Sequence, residues 1–462
     1  MKKGFNTVRW LSAAMAVLFI LEVLFFHQLV YSEAEQLGEG DREFLDEMSI
    51  MYGFPVDGIY HVDEPYWMHG TYAYQLLFKE KSLLHRDWQH PHMLDQPQLS
   101  RLILGLGLDL RGGDVGESIA GLMNWKSIAY HNFWVKNGIE NKERDYEIVL
   151  DRELEEYMGY LMGLSGGGKM TSFTRRDYRI ARETAYFFAV LSALTIMAIS
   201  YRVYPHPLTS IIAGQVFLAN GVAVPAFERV LSESICTFFT LTTLALVMKL
   251  GESRSKRKWA FLAGVSLGMA LSTKFTTAYM IPVAAVALLL DRKTEKRELV
   301  GAATILALSA TISFLLLNPS LYPDPVGNTA WMVSHRAKMM GIQSGVQPEA
   351  IRTLDERVRL IIGKGVLMDS SESMTIQGMH IILFIWGLRH IYAKARVEFA
   401  SGRMGRHAVA SLFIASTFIV VGASIHMDWQ RYYIPFMLCS VIAFSAGLGQ
   451  AIKDVFEDGK RG

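Results

Sequence analysis

Asp63 and Glu64 stand side by side between aromatic residues in the stretch His61-Val62-Asp63-Glu64-Pro65-Tyr66-Trp67, beyond an apolar run from Trp10 to Tyr31. A carboxylate partly withdrawn from water holds its proton more tightly and works as a general base nearer neutral pH, so an acidic pair among aromatics at a membrane surface suits proton abstraction. The competing reading is an Asp that caps a helix lying beside the membrane. Cations suited to an anionic leaving group recur farther along: Lys274 in Ser272-Thr273-Lys274-Phe275-Thr276, Arg336 with His335 and Lys338, and Arg431 in Asp428-Trp429-Gln430-Arg431-Tyr432-Tyr433-Ile434-Pro435.

These groups need elements to bring them together, and the composition says which. The chain has 462 residues, 51% of them hydrophobic and 19% charged, yet its mean hydropathy is only +0.21. That average mixes apolar windows of membrane-spanning length with a polar, acidic and aromatic stretch over residues 32 to 180. The expected fold is an all-α polytopic membrane protein with about ten transmembrane helices, a count that rests on window length. The first is read as an uncleaved anchor because its apolar run is too long for a signal peptide. Further spans fall near 183 to 203, 208 to 225, 231 to 249, 259 to 273, 276 to 290, 299 to 317, 378 to 393, 407 to 425 and 432 to 450.

The organisation that follows is an anchor over 1–31, a large loop over 32–180, a transmembrane bundle over 181–317, a second loop over 318–377 and a second bundle over 378–462. Placing the amino terminus in the cytoplasm puts Arg254, Lys256, Arg257 and Lys258 in one inner loop, Arg292, Lys293, Lys296 and Arg297 in the next, and Arg389, Lys394, Arg396, Arg403 and Arg406 in a third. That satisfies the positive-inside rule and sets Asp63 and Glu64 outside, on the extracytoplasmic face of a multi-pass cell-membrane protein. A net charge of +2, with the basic residues placed where topology requires them, argues against a nucleic-acid partner. Cys236 and Cys439 both lie in expected spans, which leaves neither disulfide nor zinc arithmetic.

Within the first loop, residues 64 to 84 read as a short helix continuing from the acidic motif and Trp88 to Gln98 as a turn rich in Pro and His. Leu99 to Leu110 is an apolar run too short to span, expected to lie along the interface or re-enter. Leu150, Leu154, Tyr157, Met158, Leu161 and Leu164 recur at helical spacing and predict an amphipathic helix. Gly163 to Met170 matches a phosphate-binding loop up to its lysine, but Met170 stands where Ser or Thr should hold magnesium, so a hinge is the better reading. Arg229 and Glu233, four apart at the entry to a span, predict one helical face; a packing ion bridge and the lining of a polar cavity are both open. Gly264 and Gly268 permit close helix contact. Asn318-Pro319-Ser320-Leu321-Tyr322-Pro323-Asp324-Pro325 predicts a rigid extended turn.

Taken together, Asp63-Glu64, His90-Pro91-His92 through Asp95-Gln96-Pro97-Gln98-Leu99, Arg229 with Glu233, Thr273-Lys274-Phe275, Asn318 to Pro325 and Arg431-Tyr432 resemble the GT-C glycosyltransferases, and within them the protein O-mannosyltransferase and aminoarabinose-transferase branch. Pro97-Gln98 stands where that family often has Pro-Pro, and the stretch from Asp114 to Tyr178 has no counterpart in it. The resemblance implies a GT-C fold with juxtamembrane helices in the large first loop. It also implies a membrane glycosyltransferase that takes a sugar from a polyprenyl-phosphate donor, dolichyl or undecaprenyl, and transfers it with inversion to a hydroxyl of a protein, lipid or glycan acceptor. Asp63 would then be the base with Glu64 beside it tuning its pKa, and Lys274, Arg431 and Arg336 would hold the donor phosphate. His90, His92, Asp95, Arg229, Glu233 and Tyr432 would line the site toward the acceptor.

Two other readings stay open. His61, His69, His85, His90 and His92 with Asp63, Asp87 and Asp95 are types that bind metals, so a divalent cation such as Mg2+ or Mn2+ held by His90, His92 and Asp63 stands as a minor alternative to structural or acceptor-contacting histidines. A transporter or lipid flippase would also place charges inside spans. The sequence shows no internal repeat of the kind transporters tend to carry. A non-catalytic assembly subunit would tolerate loss of Asp63.

Overall fold

The computed structural model describes residues 13–14, 16–17, 19–20, 23, 61, 63–119, 121–122, 172–346, 349–368 and 374–458. The expected amphipathic helix at 150–164 and the glycine-rich loop at 163–170 lie outside the described residues, as does most of the anchor and of the loop that follows it. Described parts of the first apolar run are helical.

Among the described residues the protein is built from helices, with no strand beyond one isolated bridge between Ala350 and Met427. The acidic motif opens α1 (Glu64–Gly70), which continues through a turn to Lys79. After a loop come α2 (Leu99–Leu110), α3 (Arg175–Val203), α4 (Pro207–Leu218), α5 (Glu233–Glu252), α6 (Lys256–Thr273), α7 (Met280–Leu289) and α8 (Lys296–Leu316). The chain closes with α9 (Pro325–Val346), α10 (Leu354–Leu360), α11 (Met374–Ala400), α12 (Arg406–Ser416) and α13 (Ile434–Asp458).

Every later run read as a span is helical. Five helical stretches, Arg175–Val203, Glu233–Glu252, Lys296–Leu316, Arg406–Ser424 and Gln430–Val455, are long and apolar enough to cross a membrane. Their outer faces keep large apolar side chains exposed, among them Phe187, Val300, Leu308, Ile312 and Ile419, which suits hydrocarbon rather than water.

Helix ends follow local chemistry. Thr174 and Asp177 cap α3 reciprocally, each side chain accepting the other's backbone N–H. The run expected to be helical over 208 to 225 stops at Leu218, because the Asn220 carboxamide oxygen accepts from the backbone N–H of Val222 and Ala223 and turns the chain. The extended turn expected at Asn318 to Pro325 is instead a helix starter. Pro319 opens a short 3-10 turn, Asp324 caps with Gly327 N–H donating to its carboxylate at 2.9 Å, and Pro325 begins the 22-residue α9.

Glycines let helices meet backbone to backbone. A Cβ on Gly264 would fall 2.0 Å from Ser309 Oγ, and one on Gly268 would fall 2.4 Å from the Ala310 carbonyl, which locks α6 to α8. Gly387 and Gly447 do the same for α11 and α13, where a Cβ on Gly387 would fall 1.7 Å from the Ala443 carbonyl.

The three basic loops meet at one end of the bundle. Lys256 and Asp291 form a buried pair at 2.6 Å, Arg292 N–H donates to the Gly402 carbonyl at 3.0 Å, and Arg202 reaches Glu252 at 2.5 Å. At the other end gather the start of α5, the end of α6, the end of α8 and the start of α13.

Candidate active site

Asp63 occupies the N-cap position of α1, but its side chain makes no capping bond. Its backbone N–H donates to His61 Nδ1 at 3.0 Å, which turns the carboxylate away from the helix and toward Arg431, whose Nη1 lies 2.5 Å from Asp63 Oδ2. The capping reading therefore does not describe this residue. Burial alone would raise the Asp63 carboxyl, and the opposing pull of Arg431, with His61 and Lys274, takes it down to about 2. Burial lowers His61 below its ordinary value.

Arg431 reaches Asp63 from the short 3-10 turn Gln430–Tyr433 before α13, with its guanidinium over the Trp429 ring at 4.7 Å. That turn is held by groups the sequence did not single out. Lys364 contacts both Asp428 oxygens at 2.8 and 3.0 Å, Tyr433 Oη donates to Asp428, and Asp428 N–H donates to the Glu349 carbonyl.

Glu233 opens α5, and Lys274 lies just beyond α6 in extended backbone. Lys274 Nζ meets Glu233 Oε1 at 2.7 Å, and Arg431 Nε approaches the same oxygen at 3.9 Å. Tyr432 packs its ring 5.9 Å from Lys274 Nζ. Asp63, Arg431, Glu233 and Lys274 thus form an alternating chain of charge, half-buried at the ends of α1, α13, α5 and α6. The shared helical face expected for Arg229 and Glu233 does not form. The short helix Val224–Phe227 ends at Glu228, and the chain bends through residues 228–232 before α5 begins. Val230 N–H is drawn to Glu64 Oε1 at 2.9 Å rather than to a carbonyl one turn back. Arg229 lies close enough to His61 to act on its charge.

Glu64 is locked away from its neighbour. Its fully buried carboxylate takes a two-pronged bond from Arg182 on α3, Nε to Oε1 at 2.8 Å and Nη2 to Oε2 at 2.6 Å, together with the Val230 N–H. A buried carboxylate engaged by three donors fixes α1 against α3, a packing role in place of the one expected for it beside Asp63.

Asp95 and Arg336 form a second cluster. Tyr66 Oη donates to Asp95 Oδ1 at 2.8 Å, the fully buried Arg101 of α2 donates to the same oxygen at 3.2 Å and to the Gln98 carboxamide, and Arg336 Nε donates to the Asp95 carbonyl at 2.9 Å. Arg336 is thereby grouped with Asp95 rather than with Lys274 and Arg431 as expected. His90 caps the one-turn helix Pro91–Leu94 by accepting the His92 N–H, and the two rings lie 5.2 Å apart. Buried Asn318 ties this loop to the bundle, accepting from Gln98 N–H at 2.8 Å and donating to Ser272 Oγ at 3.0 Å.

The expected metal grouping of His90, His92 and Asp63 is not assembled. Among the described residues no set of three His, Cys, Asp or Glu side chains is arranged to hold a metal ion. Asp63 is already matched by a guanidinium, and His90 Nδ1 is used by its helix cap.

Arg182 carries no distinguishing signal because it is one of four arginines between 175 and 182 and its partner Glu64 lies 118 positions away, while Arg101 stands inside the apolar run Leu99 to Leu110 and turns back to Asp95 and Gln98. A charge inside such a run signals that a partner exists without saying which one.

No curated protein matches the chain. Among solved structures it is similar to ArnT from Cupriavidus metallidurans in the apo state, at 13% identity and a TM-score of 0.47, over 83% of this chain and 54% of that one. The chain thus spans about half the length of that protein. Residues 153–318, which include Glu233 and Lys274 but neither Asp63 nor Arg431, match the family model described as dolichyl-phosphate-mannose-protein mannosyltransferase. Among the described residues the fold is helical, and the match over that stretch agrees with the expected likeness to the protein O-mannosyltransferase branch.

Proposed function

We propose that the protein transfers a sugar from a polyprenyl-phosphate donor to an acceptor hydroxyl at the outer face of the membrane, with Asp63 as base. The observation that carries this reading is the contact between Asp63 and Arg431 beside the Glu233–Lys274 pair, which sets a carboxylate next to two cations at one end of a membrane bundle. The acceptor O–H gives its proton to Asp63 as its oxygen bonds to the anomeric carbon. The bond from that carbon to the phosphate oxygen breaks, and polyprenyl phosphate leaves with the electron pair. A single displacement of this kind inverts the anomeric centre. Lys274 and Arg431 stabilise the charge that gathers on the departing phosphate, and Arg431 suits it through its planar fork. A carboxyl held near 2 is a weak base. A phosphate that draws the Arg431 guanidinium toward itself relaxes that hold and raises Asp63 toward working strength. The family description names dolichyl-phosphate mannose, which makes a mannosyl donor the first to try.

The test is turnover of short-chain polyprenyl-phosphate sugars by the detergent-solubilised protein, read as released polyprenyl phosphate. Asp63→Asn should lower transfer by about 10² to 10⁴-fold while the protein stays folded and binds donor. Wild-type-like turnover in that variant would remove Asp63 from the mechanism. Movement of intact donor across vesicles without cleavage would favour a flippase.

A further inference from the structure

Glu233 stands among the cations assigned to the phosphate, an acidic group where an anion should bind. Its carboxylate is 6% exposed and is fixed by the first turn of α5, so it cannot swing clear as a loop residue would. One oxygen, Oε1, faces both Lys274 Nζ and Arg431 Nε. Asp63 and Glu233 together balance Lys274 and Arg431, so an arriving phosphate meets a site with no net charge among these four.

We infer that Glu233 is a positioning residue that competes with the product phosphate for Lys274 and Arg431 and thereby drives its release. This rests on the donor class proposed above. A sugar-linked polyprenyl phosphate is a diester with one negative charge, whereas the polyprenyl phosphate left after the anomeric bond breaks is a monoester carrying about −1.5 to −2 at neutral pH. The same two cations therefore hold the product more tightly than the substrate. A site built only to stabilise the leaving group would retain it. A fixed carboxylate that offers Oε1 to both cations favours their return and weakens the product more than the donor, because the product uses the cations more fully.

A purely structural Glu233 predicts a different result, a loss of stability with weaker anion binding as the cations drift apart. The experiment uses the full chain in detergent and a short polyprenyl phosphate without sugar as the probe. Glu233→Gln keeps the shape and removes the charge, and it should bind the probe at least about tenfold tighter. With donor it should show kcat and KM falling together, the sign of slowed release rather than lost chemistry. Glu233→Asp withdraws the carboxylate by one methylene and should tighten binding to a smaller extent. Equal or weaker probe binding in folded Glu233→Gln overturns the inference. If that variant does not fold, Glu233→Asp carries the same test, and no tightening there overturns it. Wild-type protein that binds no polyprenyl phosphate would instead overturn the proposed donor class, and the inference with it.

Discussion

Replacing Glu64 with Gln keeps the side-chain shape and leaves Oε1 able to accept from Arg182 Nε and from Val230 N–H, but it removes the charge and sets an amide N–H group against Arg182 Nη2, where Oε2 accepted at 2.6 Å. The Arg182 guanidinium that loses its counter-ion is 2% exposed and cannot regain water. Breaking a buried ion pair by removing one partner costs about 3 to 5 kcal/mol, and the stranded Arg182 Nη2 donor keeps this case within that range. Against a total stability of about 5 to 15 kcal/mol that is a large fraction. The melting temperature of the purified protein in one detergent, followed by tryptophan fluorescence, should fall clearly. Trp67 and Trp88, both buried near α1, are two of the nine tryptophans that contribute to that signal. Adding Arg182→Met should restore part of the loss, because it removes the stranded charge. Asp63→Asn, one residue away but with 38% of its side chain exposed, should lose much less than Glu64→Gln. A Glu64→Gln protein that melts with wild type, or a double variant no better than the single, would refute the account of Glu64 as a buried clamp.

Other outcomes follow from the same geometry. Arg431→Ala and Lys274→Ala should each weaken donor binding about tenfold or more, since each removes a charge-assisted bond, and Arg431→Lys should recover only part because the fork is lost; a direct binding titration decides this. The Asp63 carboxyl sits near 2 in the fold against an ordinary 3.8, so its contribution to stability is complete above about pH 4 and is lost as pH falls toward 2. Melting curves should show wild type losing its margin over Asp63→Asn across that window and not at neutral pH. With Cys236 and Cys439 replaced, cysteines at exposed Leu84 and Val326 should react with an impermeant thiol reagent in intact cells and one at exposed Ser255 should not; labelling at Ser255 alone would reverse the proposed sidedness.

Apolar windows located the membrane-length helices because lipid imposes a long, simple signal, and the bundle follows those windows in α3 to α8 and α11 to α13, while α9 and α10 lie in the stretch read as a loop. Two local patterns misled. Arg229 and Glu233 have helical spacing, but the Glu64 carboxylate captures the Val230 N–H and breaks the helix between them. Proline density at 319 to 325 suggested an extended turn, whereas proline in the first turn of a helix is an initiator. In the site, Asp63, Lys274, Glu233 and Arg431 were all named, yet who pairs with whom was not legible. Arg431 lies 368 positions from Asp63, and no spacing rule links residues that distant. The same holds for Glu64 with Arg182 and for Lys364 with Asp428.

The two glycine seams have a mechanical consequence. Lys274 follows the end of α6, which is locked to α8, and Arg431 precedes the start of α13, which is locked to α11. Each cation therefore belongs to a different stiff pair of helices, and the distance between them is set where the two pairs meet. Helix pairs respond to a thicker or thinner bilayer by tilting, and tilt of one pair against the other would change the spacing of the two cations before it deformed either seam. If these cations hold a phosphate as proposed, the reach of the site would follow the thickness of the surrounding membrane.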